Sequence, residues 1–180
     1  MTTALAPPSL SALVRPRGPL WTPTELHELV STIGVRHGEE LLAQVRFASP
    51  QRWWSRLALT EEVEVWLLSW LPGQRTEPHD HGGASGAFSV VLGSLSETYR
   101  YPGGDVRQRT HLLGSSLGFG AGRAHQVWNT SREKAATVHA YSPPLVPTRE
   151  YASLWDIPAS IPPLPPYRTL EELAREPVEP

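Results

Sequence analysis

Apolar residues follow two different periods along this chain, and the change of period divides it. Between Thr22 and Phe47 they recur at helical spacing, with Leu26, Leu29, Val30 and Ile33 on one face and Leu41, Leu42 and Val45 on a second. Thr22-Pro23-Thr24-Glu25 has the form of a capping box with Pro at the first helical position. Gly34 reads as a stop, so the pattern predicts two short helices, one ending at Gly34 and one over 38–47. From Arg52 to Tyr141 the period falls towards two. Residues 62–68 begin as an alternation and end as an apolar run, and strands are expected near 87–92, 95–101, 107–113 and 135–141. Gly-containing turns separate them at Pro72-Gly73, Gly82-Gly83, Pro102-Gly103-Gly104-Asp105 and Gly118 to Gly122. Short strands with regular turns predict a mostly β fold, a sandwich or barrel.

Length and composition refine this picture. The 180 residues suit one domain with its own core. Proline, 19 residues, is about twice its usual share and crowds both ends. The expected organisation is a flexible or draped arm over 1–20, one domain with its helices over 21–157, and a proline-rich tail over 158–180 with a short helical turn at 169–175. A formal charge of −2 gives no basic footprint for nucleic acid or an anionic membrane. The absence of Cys excludes disulfides, thiolate metal ligands and a cysteine nucleophile. No apolar run approaches a membrane span, and the first twenty residues lack a secretory pattern, so a cytoplasmic location is expected.

The chemistry lies in the seven histidines. His79 and His81 flank Asp80, and on an extended strand residues i and i+2 point the same way, so both imidazoles can meet one metal while Asp80 faces away. Two surface histidines on a loop would look the same. Thr137, His139 and Tyr141 share one strand face and can form a hydroxyl–imidazole–phenol chain, a pattern that plain packing also produces. His27 reads as a helix-surface residue, His37 as loop and His111 as an ordinary strand residue. Glu97 lies too far along the chain to act as a ligand beside them. By ligand type, three histidines admit zinc as well as iron.

Context narrows the choice. Gly73-x5-His79-x-His81 and Gly114-x5-Gly120-x-Gly122-x2-His125-x3-Asn129 resemble the paired motifs of the cupin superfamily. The Glu that usually follows the second His is missing, since Ser85 and Gly86 stand there, which limits the ligands to His79, His81 and His125. Pro78-His79-Asp80-His81, Trp70 ahead of Pro72-Gly73, Arg52-Trp53-Trp54-Ser55-Arg56 and Thr137 to Pro144 resemble the cysteine dioxygenase family, in its bacterial form. The mammalian members crosslink a Cys to the active-site Tyr; this chain has Gly86 there.

That resemblance implies a small jelly-roll-like antiparallel β-barrel and a site holding Fe(II). It implies that L-cysteine and O2 give cysteine sulfinate, a step of cysteine catabolism. Tyr141, His139 and Thr137 would be catalytic. Arg56 would clamp the substrate carboxylate as a bidentate fork, with Trp54 and Trp70 beside the substrate. A surface ion pair is the plainer role for Arg56. The implied partners are a small thiol and O2, with the chain a monomer or small homo-oligomer and no nucleic acid or membrane involved. Another thiol such as 3-mercaptopropionate, or a non-catalytic metal-binding cupin, are the alternatives.

Overall fold

A capped helix and ten short strands carry the chain. The computed structural model describes residue 10 and residues 12–14, 18, 20–166, 169 and 172. The elements are α1 (Pro23–Leu42), β1 (Trp54–Leu59), β2 (Glu64–Trp70), β3 (His79–Asp80), β4 (Ser85–Leu92), β5 (Ser94–Arg100), β6 (Arg107–Leu112), β7 (Ser116–Phe119), β8 (Ala124–Trp128), β9 (Ala135–Ser142) and β10 (Arg149–Glu150). A 3-10 turn follows at Leu154–Asp156. The strands form two five-stranded antiparallel sheets, ordered β1-β2-β9-β4-β7 and β10-β3-β8-β5-β6. The expected mostly β, jelly-roll-like fold is present, but the two sheets do not close into a barrel.

Alternation decides what each strand face meets. On β2, Val65 and Leu67 are fully buried on the helix side, and on β9 Ala136, Val138 and Ala140 are too. They join Leu26, Leu29, Val30, Ile33 and Leu41 of α1 in the main apolar core, with Leu10 and Val14 packed into the same cluster. The opposite faces carry Glu64, Trp66, Leu68 and Trp70 on β2 and Thr137, His139 and Tyr141 on β9. The hydrophobic core therefore lies between helix and sheet, which leaves the space between the sheets for polar side chains.

One expectation is corrected here. Two short helices are replaced by the single α1, which runs straight through Gly34. Gly34 is a packing residue: a Cβ there would come within 2.8 Å of Ser89 Oγ and 3.5 Å of Val91 on β4. The capping box is as expected, with the Thr22 hydroxyl accepting from Glu25 N–H and the Glu25 carboxylate from Thr22 N–H. The helical turn expected at 169–175 and most of the arm over 1–20 lie outside the described residues.

Beyond residue 158 the chain lies against the loop after His81. Leu164 N–H donates to the Gly82 carbonyl at 2.7 Å, and Arg149 Nη2 donates to the Pro162 carbonyl. Gly82 and Gly83 both have positive φ, and a Cβ on Gly83 would strike Pro163 at 2.8 Å.

The helix also meets β7 closely at Gly118, where a Cβ would collide with the Pro23 carbonyl and lie 3.0 Å from His27 Cβ. Backbone cannot swing aside as a side chain can. Gly118→Ala is expected to cost about 1–3 kcal/mol, or roughly 2–4 °C of Tm per kcal/mol in a chain of this size. An unchanged thermal melt would contradict this seating of the helix.

Candidate active site

The strand register brings distant histidines together. β3 pairs with β8 so that His79 lies opposite His125, and His81 follows two residues on. One ring nitrogen from each of His79, His81 and His125 lies within 4.8 Å of the others. His79 Nδ1 donates to the Glu77 carbonyl at 2.7 Å, which leaves its Nε2 lone pair free. His125 Nδ1 donates to Glu97 Oε1 at 2.7 Å, which frees its Nε2 likewise. His81 Nε2 stands 3.1 Å from His125 Nε2. Nitrogens bound about 2.0–2.1 Å from one ion stand close to that separation. Burial, and then repulsion from the neighbouring rings, pushes His79 down to about 3 and His81 well below its usual value. Neutral imidazoles aimed at one point fit a metal ion, and this cluster is a metal site.

Asp80 faces the other way, as its strand position requires. It accepts from Gly82 N–H at 2.6 Å, from the Tyr151 hydroxyl at 2.5 Å and from Arg149 Nη1 at 3.3 Å. Those bonds fix the turn that presents His81.

Glu97 on β5 is fully buried and supports the site from behind. Besides His125 it takes a bidentate pair from Arg123, Nε at 2.9 Å and Nη2 at 2.7 Å, and stands 2.9 Å from His111 Nε2. Burial alone would raise its carboxyl, but bonds from His111, His125 and Arg123 hold it well below the usual carboxylate range. Sequence reasoning set both Glu97 and His111 aside. Their signal lies in the cross-strand register, where β5 runs between β6 and β8, and spacing along the chain cannot reveal that.

On β9 the three expected residues form a continuous chain. Trp70 Nε1 donates to Thr137 Oγ1 at 2.9 Å, Thr137 Oγ1 lies 2.9 Å from His139 Nε2, and His139 Nδ1 lies 2.9 Å from the Tyr141 hydroxyl. Proton order follows from donor capacity. The indole can only donate, so the buried Thr137 hydroxyl needs an acceptor for its own proton, and His139 Nε2 supplies it. His139 Nδ1–H then donates to Tyr141 and leaves the phenol proton free for the cavity. Burial, with the Glu64 charge next, pushes the Tyr141 phenol above its usual value, so that proton stays on at neutral pH.

His79, His81 and Tyr141 line a cavity of about 290 Å³ with Arg52, Trp54, Glu64, Trp66 and Leu68 among its other walls. Trp54 lines the cavity. Trp70 is buried outside the lining, where it holds Thr137 and stacks under Arg52, whose guanidinium carbon is 4.3 Å from its ring centre. Arg56 is also buried off the lining, 5.1 Å from the Trp66 ring centre. The guanidinium in the wall is that of Arg52, which sequence reasoning passed over. Its Nη1 is buried with no hydrogen-bond partner among the described residues, and burial lowers its pKa.

Two facing antiparallel sheets around a three-histidine cluster define the chain as a cupin, and among solved structures it is similar to double-stranded β-helix proteins. One from Klebsiella pneumoniae subsp. pneumoniae MGH 78578 matches at a TM-score of 0.52 and 19% identity, covering 63% of this chain and 95% of that one. Another, TT1209 from Thermus thermophilus, matches at 0.50 and 21% identity, covering 57% and 93%. The chain belongs to the cysteine dioxygenase type I family, whose pattern matches residues 35–153, well over half its length. It is also 33% identical over 81 residues to auxin-binding protein 4 of Zea mays, covering 42% of this chain. The chain spans under two fifths of that relative's length, 38%. Among the described residues no helix is long and apolar enough to cross a membrane.

Glu97→Gln keeps the shape of the side chain and removes the charge that orients His125. Loss of such a support typically costs 10- to 100-fold in metal affinity, and about that loss is expected in a chelator competition assay. Affinity equal to wild type would remove Glu97 from the site. The depressed histidines also set an acid response. The unfolded chain binds a proton at His79 near 6.5, whereas the folded chain does so only near 3. Metal-stripped protein should therefore lose thermal stability as pH falls from about 6.5 towards 3. A flat Tm over that window would contradict the buried, neutral assignment.

Proposed function

We propose that this protein is an Fe(II)-dependent thiol dioxygenase that converts L-cysteine and O2 to cysteine sulfinate, with both oxygen atoms transferred to sulfur. The observation that carries the reading is the Tyr141 hydroxyl, aimed by His139 and Thr137 into the cavity that His79 and His81 also line. Family membership supports the same reaction class. Bound iron would supply a common anchor for thiolate and O2, with His79, His81 and His125 as its ligands.

The chain's own groups do the rest. Trp54, Trp66 and Leu68 give the cavity apolar walls that limit water. Tyr141 donates its hydroxyl proton towards the oxygen side of the substrate, and His139 fixes the direction of that donation. A guanidinium receives the substrate carboxylate, which it can match with two parallel N–H bonds. The family pattern assigns that role to Arg56. Cavity lining and the unpartnered Nη1 favour Arg52, with Trp70 as its stacking support.

Oxygen uptake by Fe(II)-loaded protein tests the reading. Uptake with L-cysteine and formation of the sulfinate are expected; uptake only with 3-mercaptopropionate would change the substrate, and none with either would overturn the enzyme reading. Arg52→Met is expected to raise KM for L-cysteine about 10- to 100-fold, the worth of a hydrogen-bonded charge, with little effect on cysteamine, which has no carboxylate. The same pattern in Arg56→Met but not Arg52→Met would return the clamp to Arg56.

A further inference from the structure

Glu64 has no part in the reaction described above, yet it lines the same cavity. It opens β2, paired with Tyr141 across to β9, and shares the inward face with Trp66 and Leu68. Its side chain is only 6% exposed. One oxygen has a structural role, since Oε1 accepts the backbone N–H of Leu145 at 3.0 Å, and Leu145 is the one non-glycine residue of positive φ among the described residues. The other has none, because Oε2 is buried without a hydrogen-bond partner. Pinning a turn requires one carboxylate oxygen, and an amide or hydroxyl would serve. A second oxygen buried beside a ligand cavity without a donor is costly until something supplies one.

We infer that Glu64 selects thiols that carry a primary ammonium group, which donates to Oε2 in the occupied cavity. This rests on the thiol dioxygenase reading of the same cavity. A cationic donor fits better than a neutral one because a carboxylate taken out of water is stabilised most by opposite charge with a hydrogen bond. Burial pushes the Glu64 carboxyl up, and the Leu145 N–H, Trp66 and the Arg56 charge only partly hold it down. Arg56 sits over the Trp66 ring, so it lends Glu64 a positive field from outside the cavity lining. Arg52 and Glu64 thus give the cavity a positive and a negative wall group, and the charge of Tyr141 is coupled to both. An amino acid thiol satisfies both; a simple mercapto acid leaves Oε2 without a donor.

Glu64→Gln tests this because the amide oxygen can still accept from Leu145 while the charge is gone. Oxygen uptake is compared for L-cysteine, cysteamine and 3-mercaptopropionate. The expected result is a fall in kcat/KM of about 10- to 100-fold for the two amines, with the mercapto acid unchanged or improved. An equal loss on all three, or a loss confined to 3-mercaptopropionate, overturns the inference. A second measurement needs neither turnover nor the variant: the rise in Tm of the metal-loaded wild type with L-serine against 3-hydroxypropionate. Greater stabilisation by L-serine is expected, and equal stabilisation overturns the role of Glu64. If no thiol supports oxygen uptake, the reaction fails as a reading, while the serine comparison still decides the ammonium site.

Discussion

Three imidazole lone pairs must meet at one point inside the protein, and much of the structure serves that requirement. An imidazole ligates only when neutral and only when its other nitrogen is held. Glu77 and Glu97 supply those holds for His79 and His125. Glu97 must in turn stay ionised at zero exposure, which it does because Arg123 meets it as a fork and His111 closes the remaining side. A carboxylate removed from direct coordination thus still places a full negative charge next to the ligand set. The usual cupin Glu is absent from the sequence, but a carboxylate acts here one bond further from the metal.

Placing so many polar groups between two sheets would empty a small protein of its core, were the core not elsewhere. Helix α1 provides the second apolar layer on the far face of the first sheet, through Leu26, Leu29, Val30 and Ile33. That division explains the small residues at the helix–sheet contact. Gly34, Gly118, Ala87 and Ala136 let α1 approach closely enough to bury its apolar face completely. Stability is then drawn from one side of the sheet and chemistry from the other, and period-two alternation along β2 and β9 keeps them apart.

The sequence made legible whatever depends on short spacing. The His-x-His pair, the Thr137-His139-Tyr141 face, the capping box and the strand-rich centre all follow from residues within a few positions of one another. Gly34 was misread as a helix stop because glycine punctuates helices and also permits close packing, and only the neighbouring sheet decides between them. Glu97 and His111 were passed over because their partners are set by strand register across a distance of 14 to 28 residues. Arg52 and Arg56 share strand parity with Trp54, so alternation cannot rank them. Which guanidinium enters the cavity depends on Trp66 and Trp70, whose rings each carry one of the two.

Gly86 links the sequence departure to the geometry of the phenol. A Cβ at this position would strike the Phe119 ring and come within 2.9 Å of Tyr141 Cδ1. Any larger residue would have to displace one ring or the other, so the space a side chain would take is already filled by Phe119. Tyr141 is accordingly held by non-covalent means: the His81 ring 4.6 Å away at a tilt of 33°, Phe119 across Gly86, and the hydrogen bond from His139. Packing fixes the plane of the ring and the imidazole fixes the direction of its hydroxyl. Together they orient the phenol without the covalent tie that a chain lacking cysteine cannot make.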